Sequence, residues 1–530
     1  MKRVDRRMAH TSKPAQPRTV LRVDTQAASY RWLIAGTVLL AGATQTFAGN
    51  SVNLAIPHIM ATFGSDLATA QWVTTSFLIT RTLMVPILGW LGGFLGNRNL
   101  FIGTMVGFVI TSIGCGLAVN LPMLVIFRLL QGLVLGPIEG LTVVIMISAF
   151  PPHQRGMAIG LRTIGWSAGQ IVSFTVGGYC IEQLSWRMIF FIGIPSGVIA
   201  AFLGLLLIPQ EREFKGIPVD YAGLLALGLC LVPLLLGISF ARRDDTETST
   251  LVVLALVAIG GSVLFVLREL LARHPAVNLR LFRLSAFCWL CTTAFLNTLG
   301  LFGAQFMIPI FLQQVMGYMP LQAGLIIVPA LVVSAFGGTL SGRLSDVMSP
   351  RILILCALIA LAVVFRLFSS VSALTTSGVL VGYIILYRVC LFSIDTPVTA
   401  LNVRILDVDQ VRMGQGLLGM VRNIGAALGV TITSVIFERR RAYHQLLAYS
   451  AYNASSPQHA DTTREIVHSL RQFGVGGSEI DAMTLQTLRR QMDIEAVAAG
   501  FRDSFFAIGF CFVLAMLPML CISGRRIRHG

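Results

Sequence analysis

Phe127-Arg-Leu-Leu-Gln-Gly-Leu-Val-Leu-Gly-Pro137 is echoed by Tyr387-Arg-Val-Cys-Leu-Phe-Ser-Ile-Asp-Thr-Pro397, at an offset of 260 residues. The same offset relates Gly156 to Gly416, Arg162 to Arg422, Gly165 to Gly425 and Gly169 to Gly429. A second pair repeats at an offset of 253: Gly89-Trp-Leu-Gly-Gly-Phe-Leu-Gly-Asn-Arg98 and Gly342-Arg-Leu-Ser-Asp-Val-Met-Ser-Pro-Arg351. All four segments lie in or beside long apolar stretches. Duplicated halves in a chain of this kind point to a site at their junction, alternately open to either side.

The surroundings of the repeats are those of a membrane protein. Of 530 residues, 55% are hydrophobic and 12% charged, about half the charge of a soluble domain. The formal charge of +16 is not a nucleic-acid signal, because it is concentrated where a bilayer would use it. Eight Lys and Arg fall within residues 1–31, and Arg525, Arg526 and Arg528 close the chain. Such tails are attracted to anionic lipid headgroups. The nine cysteines all sit in apolar stretches, as small buried hydrophobes do. No cofactor is implied. The P-loop pattern of nucleotide hydrolases is missing, which leaves an ion gradient as the energy source.

A span needs about 20 apolar residues, and fourteen candidates can be placed between residues 32 and 523. Spans 2 to 5 match spans 10 to 13. The expectation is an all-α polytopic fold. A basic tail (1–31) precedes a six-helix bundle (32–208), two inserted spans with their loops (209–284), a second six-helix bundle (285–523) and a short basic tail (524–530). Arg98, Arg155, Arg351 and Arg412 fall in alternate short loops, which places both termini in the cytoplasm. Residues 438–502 then form one long outer segment. Leu446, Leu447 and Tyr449, then Ile466, Val467 and Leu470, suggest short amphipathic helices there.

Charges inside spans mark function, because each is costly unless paired or wetted. Arg128 and Glu139 are eleven residues apart in the fourth span, hence nearly on one face. Gly132 and Gly136 permit close helix contact beside them, and Pro137 opens the hydrogen-bond ladder. Arg388 and Asp395 repeat the theme beside Pro397. Asp395 is read either as a proton carrier or as a static partner of an arginine. Arg81, deep in the second span, needs a partner, and Glu139 is a candidate. Gly165-Trp-Ser-Ala-Gly169 has the pattern of an esterase elbow, but within a membrane helix its glycines read as packing. No enzyme activity is expected.

The repeated loops resemble the signature of the major facilitator superfamily. Arg128, Gln131 and Gly132 stand in register with that superfamily's fourth-span motif, and Gly165 to Gly178 is similar to its fifth-span antiporter motif. Asn53-Leu-Ala-Ile-Pro57 and Gln71-Trp-Val-Thr-Thr-Ser-Phe77 resemble the first two spans of the fourteen-span drug:proton antiporters of the EmrB/QacA type. The resemblance implies export of a small amphiphilic substrate against inward proton flow, in a bacterial inner membrane. It implies proton coupling at Arg128, and a conformational latch at Gly89, Gly342, Asp346 and Arg351. It also suggests a periplasmic adaptor protein on segment 438–502, for which a simple lid is the other reading. The chain departs from the pattern at Ala48, where the first-span acid would stand, and at Gly93 and Gln170. Glu139 or Asp395 is therefore expected to take the protonatable role. The alternative readings are a dedicated exporter of one endogenous metabolite or lipid-like product, and a membrane sensor or scaffold that does not transport.

Overall fold

The computed structural model describes residues 28–84, 88–151, 155–210, 221–240, 247–271, 279–371, 375–406, 408–451 and 479–522, with isolated positions between 464 and 472. The described residues form helices and short connections, with no β-strand.

The first bundle is built from α1 (Ala28–Phe63), α2 (Leu67–Ala70), α3 (Trp72–Met84), α4 (Leu88–Leu95), α5 (Asn97–Gly116), α6 (Leu121–Leu135), α7 (Ile138–Ala149), α8 (Arg155–Gln183) and α9 (Met188–Leu207). A pair, α10 (Tyr221–Phe240) and α11 (Thr248–Leu271), follows. The second bundle comprises α12 (Ser285–Gln314), α13 (Pro320–Val347), α14 (Pro350–Phe368), α15 (Ser377–Ile405), α16 (Val408–Ala451) and α17 (Glu479–Cys521). α10 and α11 pack on each other, and α10 also touches α3 and α16. α11 buries only 17% of its apolar window, so most of its surface is left for lipid.

Ten described helices are long and apolar enough to cross a membrane, four fewer than the fourteen spans expected. The remaining four expected spans coincide with α3 and α4 together, α8, α10 and α13. α3 and α4 are described as separate segments of 13 and 8 residues, each shorter than a span; α8 carries the polar Arg162 and Gln170, while α10 and α13 keep shorter apolar stretches at 225–238 and 320–334.

The repeat is realised in close contacts. A Cβ at Gly165 would stand 2.9 Å from the Leu39 carbonyl, and one at Gly169 would stand 2.7 Å from the Ala43 Cα, both on α1. In the second copy, Gly425 meets the Phe295 carbonyl at 2.8 Å, and Gly429 meets the Leu299 Cα at 3.1 Å, both on α12. In each bundle the fifth span thus rides on the backbone of the first, which only a missing side chain permits. Two arginines 253 residues apart do matching work as well. Arg98 Nη2 donates to the Leu205 carbonyl at 2.5 Å, and Arg351 Nη2 donates to the Leu520 carbonyl at 2.7 Å. Each ties the start of its bundle's third span to the end of the sixth.

Two expectations are revised. The fourth span divides at Gly136–Pro137 into α6 and α7, whereas α15 runs unbroken through Pro397. The edges expected near residues 437 and 503 are not helix ends. α16 is continuous for 44 residues and α17 for 43, roughly 65 Å each. Leu446, Leu447 and Tyr449 are exposed on the prolongation of α16 rather than on a separate helix. Ile466 and Leu470 lie outside the described residues. The prolongations pair through Asp503, which accepts from Arg440 and bonds His444 at 2.8 Å, and through Asp493, which accepts from Gln445 and Tyr449.

Replacing Gly169 or Gly429 by Ala should cost about 1–3 kcal/mol through overpacking. Gly36→Ala, with nothing within 4 Å of the added Cβ, should be neutral or slightly stabilising. Thermal unfolding of the purified protein in detergent compares them. Coincident melting of all three variants would refute the seam.

Candidate functional site

A cavity of about 230 Å³ lies between the bundles. α1 contributes Gln45, Asn50 and Asn53, α3 contributes Phe77 and Arg81, and α7 contributes Glu139. α8 adds Trp166, Ser167 and Gln170, and α12 adds Phe302 and Gln305. The second bundle, to which α12 belongs, also contributes Arg388 and Asp395 of α15 and Arg422 of α16. Amides and hydroxyls thus alternate with aromatic rings. Ser167 is a helical residue here, between the two glycines that seat α8 on α1.

Two ion pairs cross the cavity wall. Arg81 Nη2 approaches Glu139 Oε2 to 2.5 Å, and Arg422 Nη2 stands 3.5 Å from Asp395 Oδ1. Glu139 also lies in the fields of Arg162 and Arg422. Pairing is what makes these charges tolerable away from bulk water. Neither carboxylate is sealed: the Glu139 side chain is 33% exposed and that of Asp395 is 47% exposed, so both remain open to cavity water. Arg388 Nη1 donates to Gln170 Oε1 at 3.3 Å across the bundle junction.

Arg128 stands apart from the cavity lining. It is fully buried in the first bundle. Its Nε donates to the Val73 carbonyl at 2.8 Å; its Nη1 donates to the Ala48 carbonyl at 3.0 Å and to Gln131 Oε1 at 2.6 Å. Gln131 in turn donates to Ser112 at 2.8 Å, and the guanidinium lies 4.3 Å from the Phe77 ring centre. Arg128 and Glu139 do share a face, the one turned to α3, but Glu139 meets Arg81 farther along it. A Cβ at Gly132 or Gly136 would collide with Thr80 or Met84, which explains how α6 comes so close to α3.

Hydrogen bonds between the bundles gather toward one end of the molecule. Gln305 bonds Asn50, Ser434 bonds Gln71, Gln313 donates to the Leu54 carbonyl at 3.1 Å, and the Leu67 N–H donates to Glu438 at 3.1 Å. The Leu321 N–H donates to Glu182 at 3.3 Å on the same side. Gly89 lies in α4, and Gly342 and Asp346 lie in the last turns of α13. The side chain of Asp346 lies outside the described residues.

The family's sequence model, described as the Major Facilitator Superfamily, matches residues 38–430. The chain belongs to this superfamily. Among its curated relatives, the multidrug export protein EmrB of Haemophilus influenzae is 28% identical, over 92% of this chain and 95% of its own length. The fatty acid resistance protein FarB of Neisseria gonorrhoeae is 26% identical, over 90% of this chain and 93% of its own. Among solved structures, a bacterial homologue of the lysosomal transporter Spinster superposes with a TM-score of 0.59 at 18% identity, covering 94% of this chain and 97% of that one. The human organic anion transporter MFSD10 gives 0.57 at 13% identity, covering 92% and 99%. Among the residues that sequence reasoning did not assign to the site are the lining residues Arg422, Gln170, Gln305 and Trp166, and Arg162, whose charge acts on Glu139 from outside the lining. Arg422 and Arg162 were visible only as repeat markers, and Gln170 only as a departure from a motif.

Arg128→Lys should lower the melting temperature sharply. A single ammonium cannot reach the carbonyls of Val73 and Ala48 and the Gln131 side chain together, and each buried acceptor left alone costs about 1–3 kcal/mol. Unchanged melting would remove Arg128 from its structural role.

Proposed function

We propose that the chain is a secondary active transporter that exports small amphiphilic compounds from a bacterial cell in exchange for protons, by alternating access between two bundles. The observation that carries this reading is the pair of half-exposed carboxylates, Glu139 and Asp395, each held by an arginine inside a cavity at the junction of duplicated halves. Protonating Glu139 removes the negative charge that holds Arg81, and protonating Asp395 does the same for Arg422. Each event changes the relative stability of states that place these groups differently, and a substrate bound in the cavity biases the same equilibrium. Aromatic walls with scattered amides suit substrates that are part apolar and part polar.

The moving units are residues 32–208 and 285–523, with 209–284 an accessory pair. The cytoplasmic face is the side of Arg98 and Arg351, so the hydrogen bonds around Gln71 and Ser434 form an outer seal. Gly89, Gly342, Asp346 and Arg351 lie at the opposite face, where a latch would act. The prolonged α16 and α17 present the surface on which a periplasmic adaptor would sit. Export of a single lipid-like product is the narrower form of this reading, and it is favoured by the relative named for fatty acid resistance.

Inverted membrane vesicles with an imposed proton gradient test the proposal. A panel of cationic, neutral and anionic amphiphiles should cause substrate-dependent proton release, followed with a pH-sensitive dye. Glu139→Gln or Asp395→Asn should abolish the release while substrate still binds, and the variant that does so names the coupling acid. Proton release that persists in both variants would remove the two carboxylates from the mechanism. A silent panel would overturn proton-coupled export of amphiphiles.

A further inference from the structure

The unused hydrogen-bonding atoms of the cavity specify what it lacks. Three arginines and two carboxylates line it. Arg81 is held by Glu139 and Arg422 by Asp395, which leaves Arg388 facing only the neutral carboxamide of Gln170. Arg388 is 6% exposed, and its Nε has no hydrogen-bond partner. The Tyr387 ring, 5.7 Å away, compensates a buried cation only weakly. Among the described cavity-lining residues, the buried polar atoms without a partner are Gln45 Nε2, Arg81 Nε and Arg388 Nε. All three are N–H donors, and two belong to guanidinium groups, which have no acceptor form. The missing element is an acceptor that carries negative charge.

The repeat explains why this arginine is free. Its counterpart Arg128 is occupied by two backbone carbonyls and by Gln131, three residues on. The position corresponding to Gln131 in the second copy is Leu391, which lines the cavity and accepts nothing. The second copy therefore presents to the cavity a charge that the first copy keeps to itself.

We infer that the cavity takes amphiphiles through an oxyanion headgroup, a carboxylate being the simplest, seated on Arg388, with the apolar body against Trp166 and Phe302. This deepens the exporter reading by naming the substrate class, and it rests on that reading only for the role of the cavity.

Equilibrium binding tests it without any gradient. The full-length protein in lipid nanodiscs is offered radiolabelled decanoate, decyltrimethylammonium and decanol, and empty nanodiscs are subtracted. Decanoate should bind about tenfold or more tightly than the matched cation, a difference of about 1.4 kcal/mol per factor of ten. Arg388→Gln should remove that preference and leave decanol unchanged. Gln170→Glu should do the same with the arginine retained, because the new carboxylate lies within reach of Arg388. It serves as the probe should Arg388→Gln fail to fold. Equal affinity for the three probes, or a uniform loss for all of them in Gln170→Glu, would overturn the inference. Selective decanoate binding by a protein that moves no protons in vesicles would overturn the exporter reading and leave this one standing.

Discussion

A guanidinium in a membrane protein brings five N–H donors and a charge to a place where water cannot serve them, and the first bundle is arranged around that demand. Arg128 meets most of it by drawing on α1 and α3 through their backbone carbonyls and on α5 through Gln131 and Ser112, while its Nη2 stays buried without a partner beside the Phe77 ring. Carbonyls can be spared for this only where a helix is already irregular or where a single oxygen accepts twice. The acceptor at Ala48 stands where the resemblance would place an acid. A neutral backbone carbonyl holds the arginine there, and the carboxylates of the cavity are Glu139 and Asp395.

The two copies share a chassis and differ in their charges. The glycine seams at 165, 169, 425 and 429 and the clasps of Arg98 and Arg351 are structural and are retained in both. They hold each bundle together as a unit, which a rocking mechanism needs, since a bundle that flexes internally cannot transmit a tilt. The differences fall at the junction. Gln131 becomes Leu391, the break at Pro137 becomes a continuous helix through Pro397, and Glu139 is replaced by Thr399 at the corresponding position. Asymmetry placed there allows one half to be packed as scaffold and the other to present charge to the cavity.

The fold was legible in the sequence because lipid imposes a coarse requirement, about 20 apolar residues per crossing, and because duplication doubles every signal. The site was legible only in part. Arg81, Glu139, Arg388 and Asp395 stand out as charges in apolar runs, but which pairs with which depends on helix rotation and on the length of arginine side chains. Asp395 is therefore found on Arg422 of the next helix rather than on Arg388, two turns back on its own face. Several cavity-lining helices are less apolar than the rest because they carry the site itself: Arg81 on α3 and Gln170 on α8 interrupt otherwise apolar runs. The long segment after residue 437 misled for a different cause: the helical period of α16 simply continues past the bilayer, and periodicity alone does not show where lipid ends.

That continuity carries a mechanical consequence. Glu438 on α16 accepts the Leu67 N–H of the first bundle and stands 3.7 Å from Arg441. Within the same two turns, Arg440 and His444 bond Asp503 of α17, and Phe437 packs on Phe501 at a tilt with ring centres 4.3 Å apart. The contacts between the bundles at Glu438 and Ser434 and those that join the two longest helices thus lie close together along α16. α16 leaving Leu67 and Gln71 would tend to carry α17 and the prolonged hairpin with it, because the two helices are also joined by the Phe437–Phe501 contact and the bonds to Asp503. An object resting on that hairpin would in turn feel whether the seal is closed.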